Sequence, residues 1–522
     1  MRKHKFHILF MVMLVVLLAM LPACGNSPGK TSSPVDSSGT SGGGEESEPT
    51  AQVPEGDPDE LVIGFWAQSG VPADYPEVID AVNEILIRDC NCKIVDSVAL
   101  NIGNYRDQLT LMLSGDEHLD TFVAHYANFA SYVAKGQIIE LDDVLNSYGQ
   151  DIISTLGEQN LAAGKVSGKQ YGLTTIRDLA TTRGFVFRQD VLDEIELDYD
   201  KYQWNAKASY EEMHDILTAI KEKTDYVPLV PSSAGQKLYD TLADYDALGD
   251  SFGVIMDYGH GADVVNLFAT EDYMNFCKMA HEWYNEGLIL QDAVTNQDGY
   301  ADSIKAGRGA AYTTNLKPGF DLKTSMQMAM PMKSIPTVDV YTTTTIVQTA
   351  QWVIARNSQA PEAAMRFLNK MYGDEEVANL LAWGIEGKHY QIIDQENRII
   401  DYPEGVNAEN IGYNLNLGWV FGNQFLDYIW NGDSPDLWKE TDDFNKNAQA
   451  SDAFGFSYDA TPVKNEVAAV TNVCNEYRCA LEFGALDPET AIPEFLGKLE
   501  DAGIQKIIDE KQKQLNEFLA SK

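Results

Sequence analysis

Basic residues are scarce. Across 522 residues, 38 Lys and Arg stand against 79 Asp and Glu, for a net charge of −41. A surface so negative repels phosphate backbones and rules against a nucleic-acid partner. It also disfavours adhesion of the folded body to anionic lipid. Cysteine is scarce too: six in a chain of this length do not make a disulfide scaffold. The usual catalytic signatures are missing. There is no His-Glu-x-x-His and no Gly-x-Ser-x-Gly elbow. Gly164-x-x-x-Gly168-Lys169-Gln170 lacks the spacing and the Ser/Thr of a phosphate loop, and Gly259-His260-Gly261 lacks the third glycine of a dinucleotide turn. No Asp-x-Asp-x-Asp-Gly loop and no Cys/His set at zinc-ligand spacing occurs. The expectation is therefore no metal and no cofactor, and no motif asks for an enzyme. One enzymatic alternative stays open, a surface glycoside hydrolase, because two of the acidic residues could face each other at the ~5 Å a retaining glycosidase needs.

What remains is ordinary globular composition, with 44% hydrophobic and 22% charged residues. The length fits about three domains, or two large ones.

The N-terminus carries an address. Arg2, Lys3 and Lys5 precede an apolar run from Phe6 to Leu21 that only His7 interrupts, and the run ends in Leu21-Pro22-Ala23-Cys24-Gly25. This is the charged, apolar and small-residue order of a signal peptide over residues 1–23. The run is short of the ~20 residues that span a bilayer. A cysteine directly after Leu-x-Ala resembles a bacterial lipobox, in which Cys24 becomes a diacylglycerol thioether and the new N-terminus. Residues 24–58 then form the lipidated cysteine and a flexible tether. Its Ser, Gly, Pro, Thr and Glu cannot bury enough surface to fold. The expected location is the outer face of a cell membrane, lipid-anchored, as in Gram-positive bacteria. The other cysteines, Cys90, Cys92, Cys277, Cys474 and Cys479, are odd in number, and Cys90-x-Cys92 is too close for an easy bridge. They read as small buried residues.

The body alternates strands with helices. Leu61–Trp66, Lys93–Val98 and Asp120–His125 read as strands; Pro76–Arg88 and Tyr105–Ser114, with apolar residues on one face, read as helices. That is the doubly wound pattern, which holds ligands beyond the carboxyl ends of its strands. Trp66, Gln68, His125, Tyr126 and Asn128 lie just past such ends. Further on, Thr182–Phe187 reads as strand. Tyr210–Lys223, Thr270–Gly287 and Ala360–Tyr372 read as helices, Thr342–Ala355 as strand, and Asp487–Lys522 as two amphipathic helices. Met326, Met328, Met330 and Met332, at period two, predict one face of a strand.

Several stretches, in this order, are similar to one family. They are the lipobox and tether, Tyr126–Gly136, Tyr171-Gly172-Leu173, Trp283–Ile289, Ile354–Ser358 running into Pro361–Ala364, the block Trp383-Gly384-Ile385-Glu386-Gly387-Lys388-His389-Tyr390, and the tail from Pro462 to Leu515. The chain resembles the bacterial extracellular solute-binding proteins of family 1, lipoproteins that serve carbohydrate ABC importers. The tail resembles the uncharacterised C-terminal domain of one subgroup. The resemblance implies an α/β, bilobal, periplasmic-binding-protein-like fold of type II, with two doubly wound lobes joined by a multi-crossover hinge. It places lobe 1 at 59–177 and 340–383, and lobe 2 at 178–339 and 384–522 with the C-terminal helices. It implies a monomer that captures a carbohydrate between its lobes and delivers it to ABC transporter permease subunits.

Sugar recognition needs flat aromatic faces for the C–H side of a pyranose, and planar polar groups for its hydroxyls. On that basis the candidate contacts are Trp66, Gln68, Tyr126 and Asn128 at strand ends, Arg177 and Asp178 at the hinge, Tyr312 in lobe 2, Gln351 and Trp352 before an apolar strand, and Trp419 in the Gly418–Asn423 stretch. Trp383, Glu386, His389, Phe421 and Asn423 are weaker candidates. A peptide or an anionic sugar is the other solute class, and Arg177 would be its main recognition group.

Overall fold

The computed structural model describes residues 55–522, apart from 68, 69, 116 and 416. The expected signal peptide, Cys24, residues 24–54 of the tether and Gln68 lie outside the described residues. No described helix is long and apolar enough to cross a membrane.

The first lobe is built on a five-stranded sheet in the order Cys92–Leu100, Asp59–Trp66, Thr121–Ala124, Gln351–Ile354, Leu173–Thr174. The first three strands are parallel, and Gln351–Ile354 runs antiparallel to both its neighbours. Strand Asp59–Trp66 is buried from Leu61 onward, as an apolar run in a covered parallel sheet requires. Helix Tyr75–Cys90 covers it with Val78, Ile79, Val82, Ile85 and Leu86. Burying each such side chain contributes about 1.5–3 kcal/mol. The helix stops at Asn91, whose left-handed backbone turns the chain straight into the next strand. Helix Pro361–Gly373 is started by its proline and packs on the same core.

The second lobe has a four-stranded sheet in the order Met332–Pro336, Thr182–Arg188, Gly309–Leu316, Val227–Leu229. Only the last pair is parallel. Phe185 and Phe187, two apart and so on one face, stack at 5.9 Å and enter the main core. Val186, between them, joins a smaller cluster on the other face. Helix Tyr210–Lys223 opens with a capping box between Ser209 and Glu212. Helices Lys464–Glu482, Pro488–Ala502 and Ile504–Ser521 add Cys474, Phe495, Leu499, Ile507 and Leu515 to the main core. All five described cysteines are buried and unbridged.

The chain crosses between the lobes at three neighbouring places. Thr181 bridges Tyr341 antiparallel, and Tyr341–Thr342 pairs in parallel with Gln449–Ala450. Helix Leu437–Lys446 lies over this seam. Asn445 accepts from Leu179 N at 2.8 Å and donates to Arg177 O at 2.7 Å, while Phe444 buries against Ala180 and Val340.

Three expectations need correction. The stretch 342–355 is not one strand. Thr343 caps a short helix, Thr344–Val347, by accepting from Ile346 N, and the strand begins only at Gln351. The alternating methionines do not share a strand face. Met326 and Met328 lie in helix Phe320–Met328, where Met326 is exposed and Met328 buried, and only Met332 enters a strand. The segment after Trp383 does not pass at once to the second lobe. Tyr413, Leu415, Leu417, Val420 and Phe421 fill the first lobe's core. The block Gly384–Tyr390 is clipped to that lobe by His389, whose Nδ1 accepts from Ile385 N and whose Nε2 meets Asp74 at 3.1 Å. Residues 413–421 thus pack with the first lobe, and the chain meets the seam again at Gln449–Ala450.

The seam between strands Thr182–Arg188 and Met332–Pro336 gives a direct test. A Cβ at Gly184 would stand 2.2 Å from the Ile335 carbonyl oxygen. Gly184→Ala should cost about 1–3 kcal/mol of stability, read as a lower urea midpoint. An unchanged midpoint would contradict this strand pairing.

Candidate functional site: the cleft between the lobes

Parallel strands bring their carboxyl ends to one edge, and in the first lobe that edge meets the second. Trp66 ends one strand, and His125 and Tyr126 directly follow another. Trp419 reaches the same edge from the short turn Gly418–Val420. Trp66 lies 6.1 Å from His125 and 5.9 Å from Trp419, ring to ring, and His125 lies 4.2 Å from Tyr126. Trp66 is itself only 2% exposed, with Tyr105 against it at 6.1 Å. Its ring is a support, and the half-buried faces belong to Tyr126 and Trp419. Asn128, one turn into helix Tyr126–Ala134, has a buried Oδ1 with no partner in the protein. Such an atom is costly unless something bonds it. Arg106 donates toward His125 Nδ1 across 3.1 Å.

Electrostatics joins the two lobes here. Burial, chiefly, raises the Tyr126 phenol, Arg106 opposes that rise, and Asp240 and Asp250 of the second lobe add to it. Burial first, and Arg106 second, push His125 down to about 4, so its ring is neutral at pH 7.

Arg177 is committed to the hinge. It donates to Asp178 O at 2.7 Å and Ile346 O at 2.9 Å, and its guanidinium sits 5.6 Å over Trp419. Burial alone would raise Asp178, but Lys317 at 3.1 Å and Arg177 at 3.2 Å hold it below the usual carboxylate value. The pair ties two crossings together and orients Trp419.

The remaining candidates lie elsewhere. Trp352 is fully buried, donating to Val420 O at 2.8 Å between Phe367 and Phe421. It stands one residue inside the strand, on the face the helices cover. Gln351 sits at the cleft end by register, opposite Ala124, but is buried against Gly172. Tyr312 is 2% exposed, stacked on Tyr300 at 4.0 Å and bonded to Thr324. It belongs to the second lobe's smaller core. Trp383 donates to Tyr428 O, Phe421 is core, Asn423 caps a turn, and Glu386 lies exposed on the His389 clip. Asp240, Asp250, Arg106 and Tyr458, whose buried hydroxyl has no partner, were not singled out from sequence. Nothing local marks them, because the fold assembles them from three separate segments. Among the described residues no three His, Cys, Asp or Glu side chains could hold a metal ion together.

Two separately cored lobes, three adjacent crossings, and aromatic and polar groups where strand ends face the other lobe define a two-lobed protein that takes its ligand in between. The profile of the bacterial extracellular solute-binding proteins matches residues 92–378, and the chain belongs to that family. A domain of unknown function matches residues 452–520. A carbohydrate ABC transporter substrate-binding protein of Streptococcus pneumoniae is 26% identical over 516 residues, 97% of each chain. The crystal structure of the N-glycan transport solute-binding protein of Streptococcus pneumoniae superposes with a TM-score of 0.78 at 24% identity, covering 88% of this chain and 99% of that one. Its complexes with Man1GlcNAc and Man5GlcNAc, also at 24% identity, give TM-scores of 0.70 and 0.67, covering 88% and 89% of this chain and 100% and 99% of theirs.

His125 makes a pH prediction. Its folded pKa, about 4, lies below the ordinary value of 6.5. Between those values the unfolded chain binds more protons, so this residue's contribution to stability falls as pH falls from 6.5 toward 4. The stability difference between wild type and His125→Gln should shift against the wild type over that window in denaturation at pH 7, 5.5 and 4.5. A constant difference would show that the ring is not held neutral.

Proposed function

We propose that this protein is the substrate-binding component of an ABC importer, capturing a neutral oligosaccharide between its lobes and handing it to membrane permease subunits. The carrying observation is the cleft cluster. The half-buried faces of Tyr126 and Trp419 suit pyranose C–H surfaces, and the unpartnered Asn128 Oδ1 suits a hydroxyl donor. Closure about the hinge is driven only by contacts that a ligand makes better in the closed state. A solute that touches Tyr126 and Trp419 on one lobe and reaches the other supplies them. The likeness to a carbohydrate-binding relative along nearly the whole chain supports the same ligand class.

An anionic solute fits less well. Arg177, its main candidate recognition group, spends two donors on backbone carbonyls. A hydrolytic role also fits less well. Burial would raise Asp240, yet Arg478 and neighbouring donors hold its carboxyl below the usual range, which suits an acceptor and not a general acid. We further propose a lipid anchor at Cys24 and a tether that keep a monomeric receptor at the outer membrane face. One acyl chain binds only marginally, so stable retention takes two.

Calorimetric titration of residues 55–522 with Man1GlcNAc, Man5GlcNAc, other neutral oligosaccharides, uronate oligomers and short peptides tests the ligand class. Neutral sugars should bind with a dissociation constant on the order of micromolar, about −8 kcal/mol. Trp419→Ala should weaken that binding roughly tenfold, the scale of one lost ring face. Binding of peptides or uronates alone would overturn the reading, as would reducing ends released from the sugars. Cys24→Ala should move the protein from the membrane fraction to the medium. Retention of that variant would remove the lipid anchor from the proposal.

A further inference from the structure

A cavity of about 760 Å³ lies within the second lobe, a volume in the range of small-molecule sites. Helices Tyr210–Lys223 and Glu271–Asn285 both line it, and residues 239–244, Tyr258 and residues 337–338 complete the wall. Every lining residue falls between 207 and 338, so none belongs to the Tyr126–Trp419 cluster.

The floor is aromatic. Tyr210 meets Phe276 across the two helices at 6.4 Å, ring to ring, and His214 meets Trp283 at 6.4 Å. Tyr239 stands edge-on to Phe276 at 4.8 Å, and the Tyr210 hydroxyl donates to Leu242 O at 2.7 Å. The rest of the lining is acidic: Glu211, Asp215, Asp244, Asp272 and Glu282 against the single lysine, Lys207. Two possible cations are spent elsewhere, Lys207 on Asp339 at 2.5 Å and His214 on Glu286 at 2.7 Å. Among the described residues, no Lys, Arg or His pairs with Glu211, Asp244, Asp272 or Glu282. Unpaired carboxylates are common in a chain of charge −41 and mean nothing alone. Here they share one cavity with stacked ring faces. Asp244 is half-buried, and burial, chiefly, raises its carboxyl, with Asp257 and Asp272 adding to the rise. A neutral solute would leave that repulsion in place. A bound cation would relieve it.

We propose that this cavity is a second binding site, for a linear aliphatic polyamine whose ammonium groups pair with the carboxylates while its methylenes lie on the aromatic floor. Ring faces attract ammonium groups as well as hydrocarbon, so one floor serves both parts of such a ligand. The shape of the charge favours a chain over a compact cation. Asp272 and Glu282 are ten residues apart on one helix, a rise of about 15 Å, and Glu211 and Asp215 lie one turn apart on the other. The site does not depend on what the cleft between the lobes binds.

Calorimetric titration of the full chain with spermidine tests the site at about 0.15 M salt, where exposed charges act over only ~8 Å. One equivalent should bind. Asp244→Asn should weaken it about tenfold, the scale of one lost hydrogen bond to a charged group. Met279→Lys puts an ammonium at a half-buried lining position and should abolish binding. It decides the matter if Asp244→Asn does not fold. Glu517→Gln removes the same charge from an exposed position on helix Ile504–Ser521 and should bind like wild type. No spermidine binding, several weak equivalents shared by all three variants, or equal binding of the neutral octanediol would overturn the proposal. Binding of a tri-lysine peptide without binding of spermidine would overturn it too, and would assign the cavity to a basic segment of another protein.

Discussion

Everything in this molecule is arranged around one constraint: three chain segments must pass side by side between two bodies without fusing them. Thr181, Tyr341–Thr342 and Gln449–Ala450 meet in only a few backbone pairs. So thin a seam leaves each lobe its own sheet and core, yet fixes their relative edge. The hinge polar groups serve that geometry. Arg177 donates to carbonyls on its own crossing and on the returning one, Asp178 receives Lys317 from the end of strand Gly309–Leu316, and Asn445 clamps both sides of Asp178. Buried ion pairs of this kind add little net stability, because desolvation offsets the attraction. What they supply is a defined axis, and hence a defined pair of surfaces to close on a ligand.

Because the seam sets which strand ends face which, the cleft inherits its chemistry from position. The parallel strands of the first lobe deliver Trp66 and His125–Tyr126 to the edge, and Trp419 arrives from a segment that returns late to that lobe. The half-buried faces of Tyr126 and Trp419 suit a neutral, hydroxyl-rich solute, which can lay its apolar C–H side on them. Such a solute also agrees with a chain whose net charge is −41, since a negative surface screens out anionic solutes before they reach the cleft.

Much of this was legible in the sequence. Length and periodicity predicted the strands and helices of the first lobe, and the strand-end rule put Tyr126 and Asn128 just past a strand, where they stand. It failed for Trp352 and Tyr312, because knowing that a residue lies near a strand end does not say which face it takes, and both turn into cores. It was half right for Trp66, which reaches the edge but lies beneath its neighbours. The Gly384–Tyr390 block was specific for a different reason. Its histidine and glycines build a turn that clips to Asp74, so the motif reports packing. Asp240 and Asp250 of the second lobe had no local signal. Their partners did. Ile504, Ile507, Ile508 and Leu515 make an apolar stripe, and Lys511 falls on that stripe. A lysine on the buried face of a helix must have a fixed acceptor waiting, and the run Lys511-Gln512-Lys513-Gln514 conceals it by looking solvated throughout.

That misplaced lysine bears on how the second lobe is built. Arg478 and Lys511 are rooted in helices whose apolar faces fill the second lobe's main core, together with Phe185, Phe187 and Trp283. A carboxylate on an unsupported loop would reorient freely. A carboxylate tied to a core helix cannot do so without dragging the core. Asp240 and Asp250 are therefore tied into the second lobe's body through Arg478 and Lys511. The C-terminal helices thus complete the second lobe's core and root the segment 239–253 in it.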